Sequence, residues 1–112
     1  MAVAERGLHG SAVEHDAVFR AAPEAEILSD NVELDSTCIV ALQHVNSETG
    51  VINPVNDKAK AIRSSGGVTL SDCAQSAGKL GLPDADTRVV SAHKLGGPMG
   101  IGALPVRDFA VL

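Results

Sequence analysis

The stretch that most restricts what this chain can fold into is Thr37-Cys38-Ile39-Val40-Ala41-Leu42, a nearly unbroken apolar run between polar flanks. A strand with one wet face alternates apolar and polar residues. A short run without alternation needs cover on both faces, which strands of a parallel sheet have. The run is far shorter than the roughly 20 residues that span a bilayer. Val68-Thr69-Leu70, Arg88-Val89-Val90 and residues 101–106 have the same character, and residues 11–13 and Glu26-Ile27-Leu28 are weaker strand candidates. Helical patterning predicts a short helix over 15–22, stopped by Pro23. A second helix is expected with Asn53 as its cap, Pro54 at its first position, Val55, Ala59 and Ile62 along one face, and Gly66 or Gly67 at its end. Residues 30–36 are polar and read as a loop. Strands thus alternate with helices or loops, which predicts an α/β fold with a mainly parallel sheet and flanking helices. There is no internal repeat, low-complexity tract or linker, so residues 1–112 are expected to form a single domain.

Composition narrows the core and the partners. Phe19 and Phe109 are the only aromatic residues, so Val, Ile, Leu and Ala must fill the interior, and each buries little area. Modest stability is expected. The net charge is −5, and the basic residues are scattered, which argues against a nucleic-acid or polybasic membrane partner. Cys38 and Cys73 are the only cysteines and form neither a disulfide framework nor a C-x-x-C zinc motif. Residues 1–10 contain no apolar segment of the secretory kind, so a reducing, cytoplasmic location is expected.

Polar residues gather after the predicted strands, where open α/β sheets bind ligands. Lys94 follows a buried strand, is preceded by His93 and is followed by glycines. A partly desolvated amine in such a place is nucleophilic and can form a Schiff base, although a lone lysine at a strand end is more often a surface residue. Ser91 and His93 offer donors to a phosphate. Asp72 ends the strand that begins at Val68 and can pair with a protonated ring nitrogen; its plain alternative is a helix cap. Gln75 lies one helical turn further on. The glycines after Lys94 match neither the P-loop nor the dinucleotide fingerprint.

Four groups of residues occur in order: Glu14-His15, then Val45-Asn46-Ser47-Glu48-Thr49-Gly50, then Asp72, Gln75 and Gly78-Lys79, then Ser91, His93-Lys94, Gly97-Pro98, Gly100 and Gly102. In that order they resemble the class V aminotransferase group, and within it the cysteine desulfurase and selenocysteine lyase family. The resemblance covers nearly the whole chain. It implies part of the large domain of a type I pyridoxal 5′-phosphate (PLP) dependent transferase fold. It further implies that Lys94 carries PLP, Asp72 pairs with the pyridinium nitrogen, and Gln75 bonds the ring's phenolic oxygen. Ser91 and His93 would bind the phosphate, His15 would stack on the ring, and Asn46 would lie near ring and substrate. Each of the last two has a plain alternative: His15 as a helix-start residue, Asn46 as a turn former. No metal ligand is implied. The implied reaction removes sulfur from L-cysteine, or selenium from selenocysteine, within a dimeric family connected with sulfur metabolism and iron–sulfur cluster assembly.

The departures are as informative. The family's enzymes are several times longer. An upstream glycine-rich phosphate turn and a downstream small domain with a catalytic cysteine have no counterpart in these residues, and neither Cys38 nor Cys73 matches that cysteine. The stretch between His15 and Asn46 is shortened, and residues 80–87, with Pro83 inside, are too few for the usual surface helix. The sequence therefore supports a PLP-binding core that is incomplete on its own and active only with the missing segments or a partner, a second copy or a complementing chain, with a non-catalytic remnant or an α/β interaction module as the alternative.

Overall fold

The computed structural model describes residues 7–28, 33–36 and 38–111. Thr37 and part of the expected 30–36 loop lie outside the described residues. Six strands form one sheet: β1 (Gly7–Gly10), β2 (Glu26–Ile27), β3 (Cys38–Gln43), β4 (Val68–Asp72), β5 (Thr87–Ser91) and β6 (Gly102–Ala103). Their spatial order is β2-β1-β3-β4-β5-β6, and every pairing is parallel except β5 with β6. Helix α1 (Asp16–Ala21) joins β1 to β2, and α2 (Val55–Ser64) joins β3 to β4.

The apolar run becomes β3, the strand with long partners on both sides, and five of its six residues are buried. One face of the sheet carries the core. Cys38, Val40 and Leu42 pack there with Val55 and Ile62 of α2 and with Ala85. Residues aligned across parallel strands share a face, so Thr69 and Ser71, opposite Val40 and Leu42, point into that core as well. Their hydroxyls need partners there: Ser71 Oγ donates to the Leu42 carbonyl at 2.9 Å, and Thr69 Oγ1 to Asp86 Oδ2 at 2.9 Å. No helix returns the chain from β2 to β3 among the described residues; Leu28 and Leu34 of that connection pack on the core instead.

Helix α2 forms as its pattern predicts, with Val55, Ala59 and Ile62 buried. Asp57 in its first turn and Arg63 in its last suit the helix dipole. Gly66 ends it at φ +83°, and a Cβ on Gly67 would meet Ile62 Cγ2 at 2.9 Å, so the chain can turn into β4 only with glycine there. Asn53 is not the cap. Pro54 holds that position, and the Asn53 side chain donates to the Gln43 carbonyl at 2.9 Å, satisfying an acceptor at the end of β3.

Two strand expectations need correction. Residues 11–13 form a turn, and the strand is Gly7–Gly10 just before it; the Ser11 carbonyl and hydroxyl are both engaged with Glu14. Of residues 101–106 only Gly102 and Ala103 form a strand. Pro105 has no N–H to give, yet its carbonyl accepts from Arg88 N at 3.0 Å, and Val106 pairs with Thr87 in the register of β6.

Asp86 closes the core at the start of β5. Its carboxylate accepts from Thr69 N, Thr69 Oγ1 and Arg63 Nε, and Arg107 lies 4.0 Å away. Burial acts to raise its pKa, but the hydrogen bonds from Thr69 and Arg63 outweigh it, and the net shift is downward from 3.8. Asp86→Ala strands these donors and is expected to cost about 3 kcal/mol or more, measured by urea unfolding. The folded carboxyl titrates below the unfolded one. Its contribution is therefore present above about pH 4 and lost as pH falls through the folded pKa, so the wild type and the variant should converge in acid.

Candidate cofactor site at the carboxyl ends of the strands

Parallel strands end at one edge, and here four adjacent ends carry the predicted residues. Gln43, Asp72 and Val89 are aligned, with Ser91 two residues beyond on β5, and β1 ends opposite Ala41. At about 4.8 Å per strand, the loops that follow β1, β3, β4 and β5 span about 15 Å. His15 and Glu14 come from the first loop, Asn46 from the second, Asp72 and Gln75 from the third, and Ser91, His93 and Lys94 from the fourth.

His15 caps α1. Its Nδ1 accepts from Ala17 N at 3.1 Å, which leaves the exposed ring's proton on Nε2, free to face a ligand. The plain reading of His15 as a helix-start residue therefore holds and also fixes its ring. Asn46 is fully engaged. Its Oδ1 accepts from Glu48 N and Thr49 N, each at 2.9 Å, while Nδ2 donates to Gln43 Oε1 at 2.9 Å and to the Val13 carbonyl at 3.5 Å. It builds the turn after β3 and ties it to the loop after β1. Asp72 Oδ1 accepts from Ala74 N at 2.9 Å, and its second oxygen has no partner among the described residues. The segment after β4 continues as successive turns through Leu80, with Gln75 half-buried.

The last loop is drawn tight. Residues Ala92–Lys94 form a 3-10 turn, Gly97 N donates to the Ala92 carbonyl at 2.8 Å, and Ala92 N donates to the Ile101 carbonyl at 3.0 Å. A Cβ on Gly97 would stand 2.9 Å from Ala92 Cβ, and one on Gly102 2.8 Å from the Val90 carbonyl, so both glycines are there for close approach. Lys94 is half-buried. Ser91 and His93 line a shallow groove with residues 100–104; Asp72 and Lys94 do not. The phosphate candidates thus sit at the outer, β6 side of the edge and the ring candidates further in.

Three residues without an assigned role in the sequence reading shape this edge. Lys79 Nζ donates to the Gln75 and Lys94 carbonyls at 3.2 and 3.3 Å, joining the loops after β4 and β5. His44, buried behind them, shares a 2.8 Å hydrogen bond between Nδ1 and Ser76 Oγ, and burial holds its pKa below the usual imidazole value. Glu14 is 7 % exposed, and its Oε1 accepts from Gln43 N at 2.6 Å and from Ser11 Oγ at 2.7 Å, while buried Oε2 has no partner among the described residues. Its place beside His15 was legible; its burial was not.

The fold and this edge define a partial domain of the PLP-dependent transferase type. Residues 13–111 match the aminotransferase class-V family model, and the chain belongs to that family. It is 44 % identical over 95 residues to cysteine desulfurase IscS of Shewanella woodyi, covering 77 % of this chain and 24 % of that protein. To cysteine desulfurase IscS of an Anaeromyxobacter species it is 42 % identical over 77 residues, 65 % of this chain and 19 % of that one. Among solved structures, DndA from Streptomyces lividans superposes with a TM-score of 0.75 at 30 % identity, over 96 % of this chain and 36 % of that one. SspA in complex with cysteine superposes with a TM-score of 0.77 at 26 % identity, over 93 % and 37 %. The chain spans about a quarter or less of the length of these curated relatives.

Burial raises the Glu14 pKa above 4.5; the hydrogen bonds from Ser11 and Gln43 oppose that, Asp72 adds to it and Lys58 opposes it. The folded protein therefore holds this proton more tightly than the unfolded chain. Stability from Glu14 is present below about pH 4.5 and lost as pH rises through the folded pKa. Glu14→Gln keeps an acceptor for Gln43 N and is expected to flatten that slope and to match or exceed the wild type at pH 8. Thermal melts across pH check both. A variant that melts lower at every pH would overturn the reading.

Proposed function

We propose that this chain is the cofactor-holding core of a cysteine desulfurase-like enzyme, with PLP as the cofactor and L-cysteine or selenocysteine as the substrate. The observation that carries the proposal is the placement of Asp72 at the end of β4 and of Ser91, His93 and Lys94 at and just after the end of the neighbouring β5, with the second Asp72 oxygen unengaged among the described residues. The donor set fits the group. It offers an anionic oxygen for a ring nitrogen, a hydroxyl and an imidazole for a phosphate, an amine for an aldehyde, and a glycine turn that brings backbone close. When bound, PLP supplies an electron sink for the substrate's α-carbon.

The protein's part is binding and orientation. Asp72 would keep a ring nitrogen protonated, and the Ala74 N–H holds its other oxygen in place. Gln75 would hydrogen-bond the ring's phenolic oxygen. Lys79 holds the Gln75 and Lys94 carbonyls together, so the two loops keep a fixed relation. His15, its ring held by the capping bond, would face the cofactor ring, and Lys94 would provide the amine that holds the cofactor and moves a proton at the substrate α-carbon. One observation favours a second reading, a non-catalytic core that retains these residues by descent: every polar atom of the Asn46 side chain is already engaged within the protein.

The test is visible absorption after incubation with PLP and removal of free cofactor. The proposal expects a band that borohydride reduces, absent in Lys94→Ala, and PLP retention weakened roughly tenfold or more in Asp72→Asn. The same band in Lys94→Ala, or none in the wild type, would overturn it.

A further inference from the structure

The two cysteines sit in opposed surroundings. Cys73 is fully buried, its thiol donates to Ser71 Oγ at 3.6 Å, and burial pushes its pKa up, so it stays a thiol. Cys38 opens β3 at the amino edge of the sheet, about 16 Å from Gln43 at the cofactor edge. Its Sγ lies 3.6 Å from His9 Nε2 on β1 and 3.6 Å from Asp35 Oδ1. His9 is 7 % exposed, and its Nδ1 has no hydrogen-bond partner among the described residues. That nitrogen lies 3.9 Å from Glu26 Oε2 on β2, at ion-pair rather than hydrogen-bond distance. The buried imidazole thus stands between the Cys38 sulfur on its Nε2 side and the Glu26 carboxylate on its Nδ1 side.

We propose that Cys38, His9 and Glu26 form a thiol-exchange site whose substrate is a small disulfide. The Cys38 S–H proton passes to His9 Nε2, and Sγ attacks one sulfur of the disulfide. The substrate S–S bond breaks as the new one forms, and the leaving thiolate takes the proton back from His9. One disulfide is consumed and one mixed disulfide is made, so no external oxidant is required. Glu26 supports the charged ring from β2. Asp35, in the loop before β3, competes for the thiol proton and opposes a thiolate. From α2 only the apolar Val55 and Ile62 join the cluster around Cys38. Cys38 is itself 5 % exposed, so access needs local opening.

The site is tested with 5,5′-dithiobis(2-nitrobenzoate) on the folded protein, following thiol release across pH and mapping the labelled peptide by mass. Label is expected on Cys38 and not on Cys73, and Cys38→Ser should be silent. His9→Gln should slow labelling roughly tenfold and move its pH midpoint upward. Because His9 is buried and its replacement can disturb the fold, Glu26→Gln is the second arm. That side chain is 77 % exposed, so the sheet tolerates the change, and labelling should slow about threefold in the same direction. Unchanged rates and pH profile in Glu26→Gln, or labelling of Cys73 as fast as Cys38, would overturn the proposal.

Discussion

Because β3 is hydrogen-bonded in register on both sides, the carboxyl ends of β1, β3, β4 and β5 fall at one edge, and every feature of the candidate cofactor site follows from that pairing. Gln43 is held level with Asp72, and Asp72 with Val89. A slip of one residue would turn the Val40 and Leu42 side chains away from α2 and move each loop by one pleat. Burial of that face against α2 is what makes the slip costly. The positions of Asp72 and Ser91 are thus set by residues that have no chemistry of their own.

The core is thin. Val, Ile, Leu, Ala and the two cysteines supply it, and two of its positions, Thr69 and Ser71, carry hydroxyls. Their satisfaction by Asp86 and by the Leu42 carbonyl turns a weakness into a specific constraint, since each bond fixes one strand relative to another. The opposite face is less well covered. Leu8, Ile39, Leu70 and Val89 are only half-buried there. The short connections foreseen in the sequence, from β2 to β3 and through residues 80–86, agree with this, since neither forms a helix among the described residues.

Much of this was legible from patterning. The run that becomes β3, the stripe of Val55, Ala59 and Ile62, and the parallel α/β architecture all follow from apolar spacing. The order of the four residue groups pointed to the family that the comparisons establish. What patterning missed has physical causes. Gly7-Leu8-His9-Gly10 has little intrinsic preference for a strand, and it becomes one because β2 and β3 pair with it on both sides. Asn53 offers a cap by residue type, but the unsatisfied Gln43 carbonyl claims its side chain. Burial of Glu14, and the loop tie made by Lys79, depend on contacts between residues 15 to 29 positions apart, which no local window contains.

Two buried carboxylates show how the same physics separates support from site. Asp86 lies at the amino end of β5, against α2, with donors from Thr69 and Arg63, and its pKa falls despite burial. Glu14 lies at the carboxyl edge, with one oxygen doubly engaged and the other orphaned, and its pKa rises. A carboxylate that serves only to hold the fold is at its most stabilising when every lone pair has a donor. Leaving one oxygen buried and without a partner among the described residues costs stability, and the cost falls beside Asp72 and His15 at the candidate cofactor edge. That placement puts Glu14 with the candidate cofactor edge rather than with the core, although its hydrogen bonds alone would assign it to the scaffold.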